Sequence, residues 1–294
     1  MSLRAKTWTA LVTVYVIWGS TYLGIALAGK TIAPLFAVAT RFVAAGALMA
    51  GLVALRGGSL RVTRRELASC VLIGLLLPGA NAVLFFAERN VPTGLASLII
   101  ASVPLWIVLL RLVGGEHLPW QALAGVGVGF LGVAIIARPS GGATTLGIVL
   151  CVTSAVMWAV GSFLSPRIEL PADPFTATTY EMLAGGLILL VPSLFTVHHL
   201  SPSLESIAAW AYLVTFGSIV GYSAYVWLLA NAPLGLVSTY AYVNPVVAIA
   251  LGVLFEGEQL TGNLLVGAVI VVAAVATVVR QEPPSATALE EGVR

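Results

Sequence analysis

Charge is scarce in this 294-residue chain. Asp, Glu, Lys and Arg make up 9% of it, against roughly 25% in an ordinary globular domain. A water-facing surface cannot be built from so few charges, which excludes a soluble fold. Histidine is rarer still. His117, His198 and His199 fall near helix ends or in a loop, so no nucleophile–base pair is expected at membrane depth and an integral-membrane enzyme is disfavoured. The only cysteines, Cys70 and Cys151, lie in apolar segments, without metal-ligand spacing, and read as small buried hydrophobes. No G-x-x-x-x-G-K-[ST] phosphate loop occurs, so the chain does not hydrolyse ATP in the usual P-loop way. A net charge of +2 with no basic run among aromatics gives no reason to expect nucleic acid. No cofactor, metal site or catalytic residue is expected.

Apolar residues fill the space that charge leaves, at 59% of the chain with a mean hydropathy of +1.03. At roughly 20 residues per helical crossing, that supply suffices for about ten crossings. Runs bounded by charge, Pro or Gly give helices over 7–28, 35–55, 67–87, 94–113, 119–138, 146–164, 175–197, 206–230, 236–255 and 262–280. The first run follows Arg4 and Lys6 and carries Ala26-Leu27-Ala28, as a signal peptide would. It exceeds the roughly 7–15 residues of an h-region, however, and reads as a retained helix. From Gln281 the composition turns to Pro, Glu and Ser, and a disordered cytoplasmic tail over 281–294 is expected.

Cationic residues are distributed unevenly between the two sides. Arg4, Lys6, Arg56, Arg61, Arg64, Arg65, Arg111, Arg167, Arg280 and Arg294 fall on the side of the termini, against Lys30, Arg89 and Arg138 on the other. The positive-inside rule then places both termini in the cytoplasm.

The chain also repeats. At an offset of about 140, Trp18 meets Trp158, Pro34 meets Pro174, Phe42 meets Met182, and Gly46 meets Gly186. Asn90-Val91-Pro92-Thr93-Gly94-Leu95 then aligns with Asn231-Ala232-Pro233-Leu234-Gly235-Leu236, Pro104 with Pro245, and Gly115-Glu116 with Gly257-Glu258. The expected fold is therefore an all-α integral membrane protein with two repeats, over 1–140 and 141–280. Five helices per repeat force the second copy into the membrane upside down. Inverted repeats are the architecture of secondary transporters, with a site at the repeat interface exposed to either side in turn.

Ile17-Trp18-Gly19-Ser20-Thr21-Tyr22, Arg41-Phe42, Pro104-Leu105, Gly115-Glu116 and above all Ser238-Thr239-Tyr240-Ala241-Tyr242-Val243-Asn244-Pro245 resemble the EamA family of the drug/metabolite transporter superfamily, and within it the YedA-like and YddG-like bacterial exporters. The resemblance covers both halves. It implies ten helices, a bacterial inner-membrane location and export of small metabolites, amino acids among them.

Polar groups at membrane depth narrow the search for a site, because a central charge costs roughly 2.5–3.5 kcal/mol even on lenient scales. Arg41 and Glu181 occupy equivalent repeat positions, each roughly 10 Å inside its helix. Inversion sets them toward opposite faces, so a direct ion pair is not expected. Arg41 is a candidate for a substrate carboxylate or for gating, with snorkelling as the alternative. Pro104 and Pro245 each free a carbonyl one turn earlier, at Ile100 and Ala241, which suggests hinges beside a site between the fourth and ninth helices. Ser20, Tyr22, Asn81, Tyr222, Tyr240, Tyr242 and Asn244 supply hydrogen-bonding groups around it. Trp18 and Trp158 lie too deep for interfacial belts and could stack on an apolar substrate, whereas Trp8, Trp120 and Trp210 suit the interface. Glycines 125, 127, 129 and 132 fit close helix packing inside the bundle better than dimerisation. Glu116 and Glu258 read as helix-end caps. The expected partners are a small-molecule substrate and the bilayer, for a monomer, with a homodimer as the alternative.

Overall fold

The computed structural model describes residues 3–136, 143–195, 201–232, 234–237 and 239–280. The expected boundary at 140/141, the tail over 281–294, Arg138, His198, His199 and Ser238 lie outside these residues, as does the side chain of Tyr242. Every regular element among the described residues is helical. The order is α1 (Leu3–Gly29), α2 (Pro34–Leu55), α3 (Arg64–Ala87), α4 (Thr93–Ile100), α5 (Val103–Val113), α6 (Trp120–Ile136), α7 (Thr145–Leu164), α8 (Pro174–Leu194), α9 (Leu204–Tyr212), a π-helical segment (Leu213–Val220), α10 (Gly221–Asn231), α11 (Leu234–Val237), α12 (Tyr240–Glu256) and α13 (Gly262–Arg280), with a 3-10 turn at Ser165–Arg167. Seven spans are long and apolar enough to cross a membrane, and three shorter apolar helices accompany them, at Trp120–Ile135, Val243–Glu256 and Gly262–Thr277.

Local chemistry sets where these helices begin. Thr63, Thr144, Asp173 and Ser203 each accept the amide three residues on, and Thr63 with Glu66 closes a capping box. Pro34 and Pro174 open α2 and α8, the two repeat-equivalent helices, where the missing N–H has no intrahelical acceptor to lose. Gly115 and Gly257 both turn at positive φ, 83° and 65°, a region that costs glycine nothing. Each such turn carries the glutamate after it away from its helix.

The helix contacts that hold the bundle together cross between the sequence halves. The most extensive are α2 against α8 and α6 against α13, with α3 wedged on α7 and α8 and α1 on α12 and α10. Small residues permit this approach: a Cβ on Gly185 would stand 2.4 Å from the Gly74 carbonyl oxygen, and one on Gly132 2.8 Å from Ile270 Cγ2. Of the fifth-run glycines, Gly129 and Gly132 pack inside the bundle, against Leu105 and α13, whereas Gly127 is exposed with nothing beside it. Val16, Leu72, Leu75, Leu131, Leu187, Val191, Leu254 and Val269 remain exposed, an outer girdle suited to lipid. Trp8 and Trp120 share that exposure. Trp210 is half-buried, and its Nε1 donates to the Ala37 carbonyl (3.2 Å) and Thr40 Oγ1 (3.1 Å) near the start of α2, where α9 leans on it.

The two proline helices differ. Around Pro104 the helix stops at Ile100 and restarts at Val103, so the break falls at Ala101–Ser102. Pro245 instead lies within continuous α12, which begins at Tyr240 after a turn at Thr239. The expectation of equivalent breaks is corrected accordingly. Asn244 accounts for part of the difference: with its amide nitrogen turned toward them, it reaches the carbonyls of Tyr15 (3.3 Å) and Tyr240 (3.2 Å) and holds the first turn of α12 to α1.

Candidate functional site

Residues from both sequence halves enclose a cavity of about 110 Å³, room for several waters at roughly 10–15 Å³ each. Trp18, Tyr22, Arg41, Asn81, Trp158, Glu181, Tyr222, Tyr240, Asn244 and Pro245 all line it. Ser20 and Pro104 do not. Ser20 bonds the Ile17 carbonyl and the Tyr212 hydroxyl (2.6 Å), which ties α1 to α9, and Pro104 sits in the first turn of α5.

Arg41 is buried, at 5% exposure. Its Nε donates to Ser218 Oγ at 3.0 Å, its guanidinium lies 5.0 Å from the Phe42 ring centre, and its Nη1 has no partner among the described residues. A buried guanidinium nitrogen without an acceptor costs free energy that an incoming carboxylate would recover. Glu181, on α8, joins no hydrogen bond or ion pair among the described residues and faces the same cavity. No ion pair links the two among the described residues. An acceptor and a donor of charge are thus held apart across one small volume.

An aromatic wall completes the cavity. The Trp18 ring meets Tyr222, Tyr225 and Tyr240 at centroid distances of 5.8, 5.0 and 5.3 Å, within the range of favourable edge and tilted contacts. The π-helical segment fixes its base. Its wide turn turns the Gly217 carbonyl to Trp18 Nε1 (3.2 Å) and presents Ser218 to Arg41. Gly221 has no room for a side chain, since a Cβ there would stand 2.5 Å from Trp18 Nε1.

Several lining residues escaped the sequence reading, among them Phe42, Pro78, Ser154 and Met182. Pro78 was legible in principle, because it interrupts an apolar run as Pro104 does. It frees the Gly74 carbonyl within α3, and one turn on Asn81 Nδ2 donates to the Leu77 carbonyl (3.2 Å). Ser154 Oγ bonds the Ala80 carbonyl at 2.8 Å, joining α7 to the same stretch of α3.

Of the two repeat-equivalent glutamates expected to cap helices, only Glu258 does so, whereas Glu116 pairs with arginines. Glu258 crosses to the other half, where its carboxylate accepts from the Thr93 amide, from Thr93 Oγ1 (2.7 Å) and from the Gly94 amide (3.0 Å). Nearby, Lys30 pairs with Glu256 (3.1 Å) and Glu205 (3.3 Å); the Glu256 hydrogen bond, foremost, holds its ammonium above the usual lysine range. Glu116 instead binds Arg111 (2.7 Å) and Arg167 (2.6 Å), and the Arg111 hydrogen bond leads in keeping its carboxyl below the ordinary range.

The sequence pattern of the EamA-like transporter family matches residues 6–138 and again residues 145–280. The inner membrane transporter YedA of Escherichia coli is 38% identical over 259 residues, 86% of this chain and 83% of that protein. A probable terminal-alkyne amino-acid exporter of Streptantibioticus cattleyicolor is 30% identical, covering 96% and 95%, and the PecM protein of Dickeya dadantii is 29% identical, covering 88% and 87%. A crystal structure at 21% identity superposes over 100% of both chains with a TM-score of 0.67, so the fold is shared. The chain belongs to the EamA-like transporter family.

Proposed function

We propose that the protein is a secondary transporter of the bacterial inner membrane that exports neutral or aromatic amino acids, or related small metabolites, by alternating access. The carrying observation is the cavity lined beside the Trp18–Tyr240 wall by Glu181 and by Arg41, whose buried Nη1 has no partner among the described residues. Arg41 receives a carboxylate, Glu181 an ammonium, and the aromatic rings the side chain. Two family matches along one chain, and the seven long and three shorter apolar helices, support ten crossings in two halves, and the uneven distribution of Lys and Arg supports cytoplasmic termini. The names of the YedA and amino-acid exporter relatives support the location and the substrate class.

Counterflow in proteoliposomes tests this reading. Labelled phenylalanine, leucine or another neutral amino acid is expected to exchange against the same compound inside. Exchange only with sugars, nucleosides or organic cations would replace the substrate class, and Glu181 beside the aromatic wall would then favour a cation. No exchange with any compound would overturn the transport role.

A further inference from the structure

Glu88 is the one carboxylate among the described residues whose two oxygens are both sealed from solvent and both without a donor. It caps the end of α3, one residue beyond the third span, Arg64–Ala87. Three titratable groups face it: Tyr22 from α1, Cys151 from α7 and Glu258 from the α12–α13 connection. None of them is a cation. Burial, and after it the charge of Glu258, holds the Glu88 carboxyl well above the usual carboxylate range.

The two carboxylates are provided for in opposite ways. Glu258 collects three donors from the start of α4, as an anion requires. Glu88 collects none, and a sealed carboxyl group without donors or a counter-charge is stable only with its proton on. Thr93 and Gly94, which Glu258 grips, follow Glu88 by five and six residues, so the grip and the sealed carboxyl share one end of the bundle, the end that Lys30 also occupies. Tyr22 reaches the site from the cavity wall itself.

We propose that Glu88 is a proton-binding site of the transport cycle, occupied while Glu258 grips the start of α4 and emptied into water at the Lys30 end when that grip opens. The inference rests on the transport reading above. On opening, the carboxyl O–H bond breaks, the proton passes to entering water, and the carboxylate left behind is solvated. One proton released per opening shifts the closed–open balance by about tenfold per pH unit between the ordinary carboxylate range of the open form and the raised range of the sealed form. Raising the pH therefore favours the open form.

The test needs no substrate. The full chain, with Cys70→Ala and Cys151→Ala, carries spin labels on R89C and L260C, exposed positions on the two connections that the grip draws together. Distance distributions are recorded in lipid nanodiscs between about pH 5 and about pH 9, either side of the range for a raised carboxyl. The expected result is a short-distance population at acid pH that yields to a longer one as pH rises. Glu88→Gln should hold the short distance throughout, and Glu88→Leu, an apolar replacement that folds without a buried donor, should do the same. Glu258→Gln should give the long distance at every pH. A parent protein that ignores pH, a Glu88 variant that keeps the parent's response, or a Glu258 variant that stays short would each overturn the proposal. Failure of the transport reading would appear instead in counterflow, with these distances unaffected.

Discussion

Arg41 illustrates how one side chain can be fully placed by protein contacts and still be left waiting. Its Nε is satisfied by Ser218, its face lies on Phe42, and its buried Nη1 has no partner among the described residues, beside a cavity that Arg41 lines. A hydrogen bond to a charged group is worth roughly 1.5–3 kcal/mol, so Arg41→Ala should lower kcat/KM for a carboxylate substrate about 10- to 100-fold in proteoliposomes while leaving insertion intact. Arg41→Lys should restore little, because an ammonium lacks the planar fork. The sequence made Arg41 and Glu181 legible, since charge at depth is rare and their repeat positions match. It also indicated that they would not pair. Ser218 was not legible as the partner of Arg41: a lone serine in an apolar run carries no signal, and the π turn that aims it depends on packing against α1 and α2. Glu88 was hidden for a different reason. Beside Arg89 in a connection it reads as solvated, and only the approach of α1, α7 and the α12–α13 connection seals it.

At the level of elements, the interruption at Ala101–Ser102 makes the fourth crossing two short helices, the form a hinge would take. Pro104→Ala restores an N–H for the Ile100 carbonyl. The expected outcome is a Tm a few degrees higher with slower counterflow, the signature of a hinge traded for rigidity. Transport at the parent rate would assign Pro104 to packing alone. Close approach in the α3–α8 pair sets the opposite sensitivity. Gly185→Ala puts a Cβ 2.4 Å from the Gly74 oxygen and 2.5 Å from Pro78 Cβ, atoms that cannot swing away, so a loss of about 1–3 kcal/mol is expected, read as a lower Tm in detergent. Apolar runs bounded by charge made the helices themselves legible to within a few residues. The unbroken helix around Pro245 was not, because both prolines look alike in sequence, and the hold of Asn244 on Tyr15 and Tyr240 that keeps α12 continuous exists only once α1 lies alongside.

Across the whole molecule, orientation is the property the charge asymmetry predicts and the fold leaves open. In intact cells an impermeant thiol reagent should label R89C from outside and R65C only after permeabilisation, and the reverse pattern would invert the assignment. The grip of Glu258 on α4 joins the two family-matching stretches at one end of the bundle, and Glu258→Gln should cost roughly 1–2 kcal/mol, the scale of a lost helix cap, again as a lower Tm. The interlocking of α2 with α8 and of α6 with α13 also has a consequence for synthesis. When the ribosome has delivered α6, the faces of α2 and α6 that will bury against α8 and α13 have no protein to meet, and Arg41 stands in the bilayer without Ser218. The nascent first half must be sheltered by the insertion machinery until α8 and the π-helical segment follow. Residues 1–140 expressed alone should then be cleared by membrane proteases and rescued by co-expression of the remainder, so that the order in which the chain leaves the ribosome becomes part of how it reaches its fold.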